Sequence, residues 1–274
     1  MSDTRALGEA LDAASRAASL LVATDFDGVL APLMLDPRRS APLPGTIESL
    51  RAMATLPDVH VAVVSGRDLR TLRSLTGIGT SEPIVLIGSH GAESSSAAVR
   101  PAMAAGPSAE DEIRLAALRE DLSAVIGGHH PEAGLEFKAA AVTVLTRGLA
   151  TDVADRANHA AREVARRHDG VRVLTGKSIL ELTISEADKG SAIAALGDDR
   201  RATARIYLGD DVTDEDAFAR MTGPTDVTIK VGAGPTAARY RLDDETAVAE
   251  TFRALRDLLA SRRPERSPTR EHTG

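Results

Sequence analysis

The chain has 274 residues, of which 43% are hydrophobic, and this is enough for one large domain or two modest domains with well-filled cores. Only 2% of the residues are aromatic and the net charge is −7, a combination that disfavours nucleic-acid binding, which relies on stacking platforms and basic surfaces. The absence of cysteine excludes disulfides, cysteine-ligated zinc and thiol catalysis.

The first ninety residues alternate amphipathic segments with short apolar runs. Residues 4–19 are predicted to form an Ala-rich helix, and the apolar run that follows is too short for a signal peptide or a membrane span, so we expect a cytoplasmic protein without membrane contact. Strands are predicted over 20–24, 59–64 and 84–87, and helices over 46–55 and 68–75. This alternation predicts βαβ units in a parallel sheet that is covered on both faces.

The middle of the chain has a different pattern. A linker rich in Ser, Ala, Pro and Gly is predicted over 94–108. After it, a helix and a hairpin occur twice: the helices are predicted over 110–126 and 151–168, and the strand pairs over 135–139 with 141–146 and 171–175 with 178–184. Residues 96–185 are therefore predicted to form a small inserted α+β domain.

The alternation typical of a parallel sheet resumes after residue 186. Helices are predicted over 189–196, 215–221 and 246–260, and strands over 204–208 and 226–231. Residues 1–95 and 186–262 are therefore predicted to form one α/β domain that the insertion interrupts. The last segment, 263–274, is polar, contains two prolines and is expected to be disordered.

Polar clusters follow four of the predicted strands. They are Asp25-Phe26-Asp27, Ser65-Gly66-Arg67, Ser89-His90 and Asp210-Asp211-Val212-Thr213-Asp214. The carboxyl ends of neighbouring parallel strands meet at one edge of a sheet, so these clusters are expected to lie together. Carboxylates that meet there repel each other unless a cation lies between them, and oxygen ligands beside a phosphate favour Mg²⁺.

Each cluster also has a simpler interpretation when it is taken alone. Asp25 and Asp27 could be surface acids, and Ser65 could cap a helix. Lys189 could be a solvated helix start, although the helix dipole disfavours a cation there, and Asp214 could cap the helix that follows it. The order, the spacing and the strand-end positions of the clusters together favour a catalytic site.

Lysine is rare in this chain. Of the 33 basic residues only four are lysines, namely Lys138, Lys177, Lys189 and Lys230. The excess of arginine and alanine is typical of GC-rich codon usage. Against that background, each remaining lysine is a candidate for a specific task.

The chain resembles the haloacid dehalogenase-like phosphatases, whose four motifs it matches in order. The matching residues are Asp25-Phe-Asp27-Gly28, Ser65-Gly66-Arg67, Lys189-Gly190 and Gly209-Asp210-Asp211-x-x-Asp214. Within that superfamily it resembles the trehalose-6-phosphate phosphatases, through Gly88–Glu93, Glu136-Phe137-Lys138, Gly176-Lys177 with Glu181, and Gly209–Phe218. The resemblance covers about residues 20–259. It implies an α/β fold with a Rossmann-like parallel sheet core and an inserted α+β cap of the C2B type.

The resemblance also implies roles for the residues of these motifs. Asp25 is expected to be the nucleophile and Asp27 the general acid and base, while Ser65 and Lys189 stabilise the transferred phosphoryl group. The cofactor implied is Mg²⁺. Its expected ligands, directly or through neighbouring groups, are Asp25, Asp27, Asp210, Asp211 and Asp214.

The implied partner is a small phosphosugar, trehalose 6-phosphate, bound by a monomer. The residues expected to bind it are Asp25, Asp27, Arg67, His90, Glu136, Lys138, Arg147 and Glu181. Two positions depart from the family pattern: Leu145 stands where a histidine is usual, and Thr183-Ile184 where Arg-Pro is usual. A phosphatase for another phosphorylated disaccharide or pseudo-disaccharide is therefore the main alternative.

Three further alternatives remain open from the sequence. A phosphosugar mutase with the same core is disfavoured because its cap usually carries a different set of arginines. A non-catalytic phospho-acceptor, such as a receiver domain, also uses acids and a lysine, but it has the size of one small domain. A protein that only binds a phosphosugar is disfavoured because no catalytic position is missing.

Overall fold

The computed structural model describes residues 2–97, 99 and 108–263. Its strands are β1 (Leu20–Thr24), β2 (Val59–Val64), β3 (Ile84–Gly88), β4 (Glu93–Ser94), β5 (Gly134–Phe137), β6 (Ala141–Leu145), β7 (Arg172–Gly176), β8 (Ile179–Thr183), β9 (Ala204–Gly209), β10 (Val227–Val231) and β11 (Tyr240–Leu242). Its α-helices are α1 (Ser2–Ala14), α2 (Thr46–Ala54), α3 (Leu69–Thr76), α4 (Ala109–His129), α5 (Thr151–Ala165), α6 (Lys189–Asp199), α7 (Glu215–Arg220) and α8 (Glu245–Arg262).

The larger sheet, called the core sheet below, has the strand order β11-β10-β9-β1-β2-β3-β4. Its neighbouring strands are parallel except β4, which runs antiparallel to β3. The central strand β1 is buried on both faces, because Leu20 and Val22 point into one apolar cluster and Leu21 and Ala23 into another. Burial on both faces explains why this strand is an uninterrupted apolar run in the sequence.

The smaller sheet, called the cap sheet below, has the strand order β5-β6-β8-β7 and is antiparallel throughout. One of its faces packs against α4 and α5 through buried residues such as Val142, Val144, Leu180 and Leu182. Residues that alternate with these along β6 and β8 point to the opposite face, which looks toward the core sheet. This arrangement places the chain between β4 and α6 over the carboxyl edge of the core sheet.

The predicted fold class, a parallel α/β core with an α+β insertion, is confirmed. The predicted helix over 4–19 is wrong at its end, because α1 stops at Ala14. The backbone turns there, and Arg263 donates hydrogen bonds to the carbonyls of Ser15 and Ala17. The local pattern could not reveal this contact, since Arg263 lies almost 250 residues further along the chain.

Two short strands were not predicted. Ser94, expected to begin a linker, belongs to β4 and pairs with Ile87. β11 extends the opposite edge of the core sheet by pairing with β10. Most of the expected linker, residues 98 and 100–107, and the tail over 264–274 lie outside the described residues. The exact domain boundaries stay predictions.

None of the helices over 2–97 and 108–263 combines the length and the apolar character that crossing a lipid bilayer requires.

Candidate active site

Three strands of the core sheet deliver polar side chains to one place. β1 pairs with β9 on one side and with β2 on the other, in parallel register. The backbone N–H of Asp25 donates to the carbonyl of Leu208 at 2.8 Å, which continues the ladder one residue past β1. Asp25, Ser65 and Asp210 therefore emerge together at the carboxyl edge of the sheet, as predicted, and each is buried.

Lys189 lies at the centre of this edge. Its Nζ donates to Asp25 Oδ2 at 2.7 Å and to Asp214 Oδ1 at 2.8 Å, and all three side chains are buried. Although burial acts to lower the pKa of Lys189, Asp214 and Asp25 outweigh it and raise the pKa above its ordinary value. The simpler interpretation of Lys189 as a solvated helix start is wrong, because two carboxylates compensate for its position at the first turn of α6.

A cluster of three buried carboxylates, Asp25, Asp210 and Asp214, offers ligand atoms within 4.8 Å of one another. Burial raises the pKa of Asp25 well above its ordinary value, and it raises the pKa of Asp210 to about 6. Three carboxylates in a buried place are electrostatically costly without cations nearby. The all-oxygen donor set and the concentrated negative charge fit a hard divalent cation such as Mg²⁺.

The hydrogen bonds of Asp214 separate it from the other two members of the cluster. Its Oδ1 accepts from Lys189 and from the Tyr207 hydroxyl at 2.6 Å, and its Oδ2 accepts from the backbone N–H groups of Asp210 and Asp211 at 2.9 Å each. Burial acts to raise the pKa of Asp214, but Lys189 and Tyr207 outweigh it, and the pKa is lowered. These four bonds use the acceptor sites of the carboxylate, so Asp214 is suited to positioning its neighbours.

The alternative that Asp214 only caps the next helix is also wrong. Its side chain makes no cap hydrogen bond to α7 and points back into the loop instead.

Asp27 and Asp211, the other predicted metal ligands, are engaged elsewhere. Both oxygens of Asp27 accept from Arg67, at 2.6 and 2.7 Å, in a bidentate ion pair. The carboxylate of Asp211 accepts from the backbone N–H of Val212 at 2.8 Å and caps the turn that follows. The geometry therefore places the carboxylates of Asp25 and Asp210, but not that of Asp27, where they can share one ion.

Side chains of the insertion contact the core at several points, of which three border the cleft. Lys177 Nζ, at the turn between β7 and β8, lies 2.5 Å from Asp210 Oδ2. Lys138 Nζ donates to Glu181 Oε2 at 2.5 Å and to the carbonyl of Gly66 at 2.7 Å. Arg147 donates to the carbonyl of Met34. These bonds hold the cap sheet over the carboxyl edge and leave a cleft between them.

All four lysines of the chain take part in this assembly. Lys230, which was not assigned a task from the sequence, is buried and donates to the carbonyl of Asp210 at 2.7 Å. Lys177 and Lys230 were thus missed as site residues, and the scarcity of lysine was the signal that could have found them. A compact ammonium fits between closely spaced carboxylates and carbonyls where a planar guanidinium does not.

Glycine is required at two positions of the motifs because side chains of the site lie close to the backbone there. A Cβ on Gly28, whose φ is +74°, would lie 2.1 Å from Asp210 Oδ2. A Cβ on Gly66 would lie 2.4 Å from the Nε2 atom of His90. Only glycine lets the backbone pass this close to a functional side chain.

The cleft gathers most of the predicted site residues. Those that line it are Asp25, Asp27, Ser65, Arg67, His90, Glu136, Lys138, Arg147, Lys189, Asp210 and Asp211. Glu181 lies beneath this lining: its Oε2 accepts from Lys138 and from Thr143 at 3.0 Å, and it is 3.7 Å from His90 Nε2. His90 itself has a φ of +53°, in the left-handed region.

The two departures from the family pattern have different structural meanings. Leu145 lines the cleft together with Ile179, Leu33 and Pro37. None of these four residues was predicted as a site residue. Thr183 is buried and donates to the carbonyl of Ala140 at 3.1 Å, away from the cleft. Only the departure at Leu145 therefore changes the surface that a substrate meets.

Comparison with known proteins places this geometry in a family. The sequence model of the trehalose-phosphatase family matches residues 23–246. The trehalose-phosphate phosphatase of Mycobacterium marinum is 34% identical over 253 residues, which cover 86% of this chain and 61% of that protein. The chain thus spans 61% of the length of this curated relative.

Solved structures show the same fold. The C-terminal domain of C. albicans trehalose-6-phosphate phosphatase superimposes with a TM-score of 0.76 at 20% identity, covering 92% of this chain and 96% of that one. A trehalose-6-phosphate phosphatase related protein gives a TM-score of 0.68 at 25% identity, covering 89% of this chain and 100% of that one. From the family match over residues 23–246 and the 34% identity, the chain belongs to the trehalose-phosphatase family.

Proposed function

We propose that this chain hydrolyses trehalose 6-phosphate to trehalose and inorganic phosphate through an aspartyl-phosphate at Asp25. The observation that carries the proposal is the buried bridge from Lys189 to Asp25 and Asp214 at the floor of the cleft. A carboxylate held beside an ammonium, at the closed end of a cleft, is suited to attack a phosphate ester. Membership in the trehalose-phosphatase family supports the choice of substrate.

In the first step an Asp25 oxygen attacks phosphorus, and the bond between phosphorus and the sugar oxygen breaks. Lys189 opposes the effect of burial on the Asp25 carboxyl and offsets negative charge on the transferred group. Asp27, in its acid form, gives its proton to the leaving sugar oxygen. Since Arg67 holds both oxygens of Asp27, an entering phosphate that competes for the guanidinium frees Asp27 for this task.

In the second step Asp27 takes a proton from a water molecule that attacks the phosphoryl group. The bond between phosphorus and Asp25 breaks, which releases inorganic phosphate, frees the carboxylate of Asp25 and returns Asp27 to its acid form. The Ser65 hydroxyl lines the cleft and donates to a phosphate oxygen in both steps.

The cofactor of the proposed reaction is Mg²⁺, held by the carboxylates of Asp25 and Asp210. When bound, the ion supplies charge compensation for the phosphate dianion and the attacking carboxylate. Asp214 and Asp211 orient the loop over 210–214 through the hydrogen bonds described above.

The insertion, residues 96–185, selects the sugar and keeps water out. Glu136 is exposed at the cleft and is available to accept hydrogen bonds from sugar hydroxyls. Lys138 and Glu181 form a buried pair that supports this surface, next to His90. Arg147 closes the cleft from the side of the Met34 loop.

The test is release of inorganic phosphate from trehalose 6-phosphate in the presence of Mg²⁺, compared across a panel of sugar phosphates. We expect trehalose 6-phosphate, or a closely related glycoside phosphate, to give the highest kcat/KM. Excess EDTA is expected to abolish turnover while the protein stays folded. Full activity after the metal has been stripped contradicts the metal assignment.

The Asp25→Asn variant tests the nucleophile. An amide cannot form the acyl phosphate, so we expect turnover to fall by about a thousandfold or more. Circular dichroism and thermal unfolding should show a folded protein, because a neutral side chain at this buried place relieves charge repulsion with Asp210. More than trace activity in a clean preparation contradicts the role of Asp25.

A further inference from the structure

The side of the cap sheet that faces the cleft is divided into two rows of side chains. In the first row, the register of β5, β6 and β8 aligns Glu136, Thr143 and Glu181. In the second row, two residues away along each strand, Leu145 lies directly opposite Ile179. Residues paired directly across antiparallel strands share a face, so over β5, β6 and β8 the first row is polar and the second is apolar.

Glycines flank the apolar row on both sides. Gly134 pairs with Leu145, and Gly176 pairs with Ile179. A Cβ on Gly134 would lie 3.4 Å from Leu145 Cδ1, and one on Gly176 would lie 2.9 Å from Ile179 Cγ1. Because the flanking strands carry no side chains here, they do not cover Leu145 and Ile179, which are half-buried and line the cleft.

The core contributes apolar groups to the same part of the cleft. Leu33 and Pro37 line it together with Leu145 and Ile179. Leu33 is 40% exposed, and the hydrogen bond from Arg147 to the carbonyl of Met34 ties its loop to the insertion two residues after Leu145. Apolar side chains thus lie on both walls, and covering them with a ligand is favourable.

On the basis of the proposed phosphatase function, we propose that Leu145, Ile179 and Leu33 form an apolar subsite for the unit joined to the phosphorylated sugar. The subsite receives a non-polar surface: an aryl or alkyl aglycone, or the C–H face of a second sugar ring. The polar row, which begins with Glu136, binds hydroxyl groups beside it. These residues determine specificity and take no part in the bond-making steps.

The test measures binding, so that it does not depend on turnover. Dissociation constants are obtained by isothermal titration calorimetry with the Asp25→Asn protein and Mg²⁺. The ligands are glucose 6-phosphate, phenyl α-glucopyranoside 6-phosphate and trehalose 6-phosphate. We expect the phenyl glycoside to bind about tenfold to thirtyfold more tightly than glucose 6-phosphate, because its ring covers apolar side chains on both walls.

Two substitutions, each added singly to the Asp25→Asn protein, test which side chains cause the tighter binding of the phenyl glycoside. Leu33→Ser and Ile179→Thr should each reduce it by about threefold to tenfold. Leu174→Ser is the matched control: Leu174 pairs with Glu181 on the same face of the cap sheet but lies outside the cleft lining, so the preference should persist. Leu33 is at an exposed position, so its variant is expected to fold even if Ile179→Thr does not.

The outcomes separate cleanly. If the phenyl glycoside binds no better than glucose 6-phosphate, or if Leu33→Ser leaves the preference unchanged, the subsite is wrong. If the variants weaken the binding of trehalose 6-phosphate as much as that of the phenyl glycoside, the natural occupant of the subsite is the C–H face of a sugar ring. If only the binding of the phenyl glycoside is weakened, the natural occupant is an apolar aglycone. Phosphate release by the unmodified protein tests the proposed function separately.

Discussion

The carboxyl edge of the core sheet and the facing side of the cap sheet carry their polar groups in opposite ways. At the edge, Asp214 is fully buried, and each of its oxygens accepts two hydrogen bonds from partners fixed by the fold. On the cap side, Glu136 is exposed and Leu145 borders an open cleft. A saturated buried network tolerates little change, whereas an open face can change with the substrate. On the proposed function, chemistry and selectivity therefore reside in regions with different tolerance to mutation.

The largest effect is expected for Lys189→Met, at the buried edge of the core sheet. The substitution leaves Asp25 and Asp214 buried without their ammonium partner, and loss of one member of a buried ion pair costs about 3–5 kcal/mol of stability. We expect a clear drop in the free energy of unfolding, measured in urea, together with a loss of phosphatase activity of about a thousandfold or more. A variant with unchanged stability shows that the bridge is less important than its geometry suggests. Arg253→Met, an exposed change on α8 outside the cleft lining, controls for the loss of a cation.

The buried ion pair of the cap, between Lys138 and Glu181, is tested by Glu181→Gln. Burial acts to raise the pKa of Glu181, but His90 and Lys138 outweigh it and lower the pKa to about 2 from an ordinary value of 4.5. A carboxyl whose folded pKa is depressed stabilises the fold above its unfolded pKa, and this contribution is lost as the pH falls toward the folded pKa. At pH 6 the free energy of unfolding of the unmodified protein should exceed that of the variant by about 3 kcal/mol. At pH 3 this difference in free energy should be smaller by about 2 kcal/mol.

The measurement is urea unfolding of both proteins at several pH values between 6 and 3. A difference that does not change with pH would contradict the ionised pair between Glu181 and Lys138.

On the open face, Glu136→Gln is expected to act on substrate selection alone. Loss of a charge-assisted hydrogen bond to a sugar hydroxyl costs about 1.5–3 kcal/mol, or roughly tenfold to a hundredfold in kcat/KM for trehalose 6-phosphate. Hydrolysis of para-nitrophenyl phosphate, which needs only the core edge, should change less than threefold. Equal losses on both substrates assign Glu136 to the chemistry or to folding instead. Glu132→Gln, an exposed change outside the cleft lining, is the control.

The smallest effect is expected for Lys177→Met, at the place where the cap sheet meets the core edge. The ammonium of Lys177 lies 2.5 Å from Asp210 Oδ2, at one of the carboxylates proposed to hold the metal. A cation and a metal ion repel each other at a shared carboxylate, so Lys177→Met should tighten Mg²⁺ binding by about tenfold. Calorimetric titration with Mg²⁺ alone measures this without turnover. Weaker binding in the variant means that Lys177 holds the loop over 210–214 in its binding shape.

The sequence by itself determined the plan of the core and which residues meet at its carboxyl edge. Buried parallel strands are continuous apolar runs, and the polar residue after each run marks the carboxyl edge, so Asp25, Ser65 and Asp210 could be placed together. The inserted pairs of strands were recognisable from short alternating segments separated by turns. The rarity of lysine made Lys177 and Lys230 candidates for a specific task, but neither was assigned to the site from the sequence.

Only the tertiary structure decided which partners these residues take. The bond from Lys138 to the carbonyl of Gly66 joins positions 72 residues apart, and the pair of Arg67 with Asp27 joins positions 40 residues apart. The apolar row of Leu145 and Ile179 likewise depends on the register of two strands that the α5 helix separates. Local patterns report periodicity and turns, whereas such contacts follow from packing one sheet against the edge of another, which no short stretch of sequence encodes.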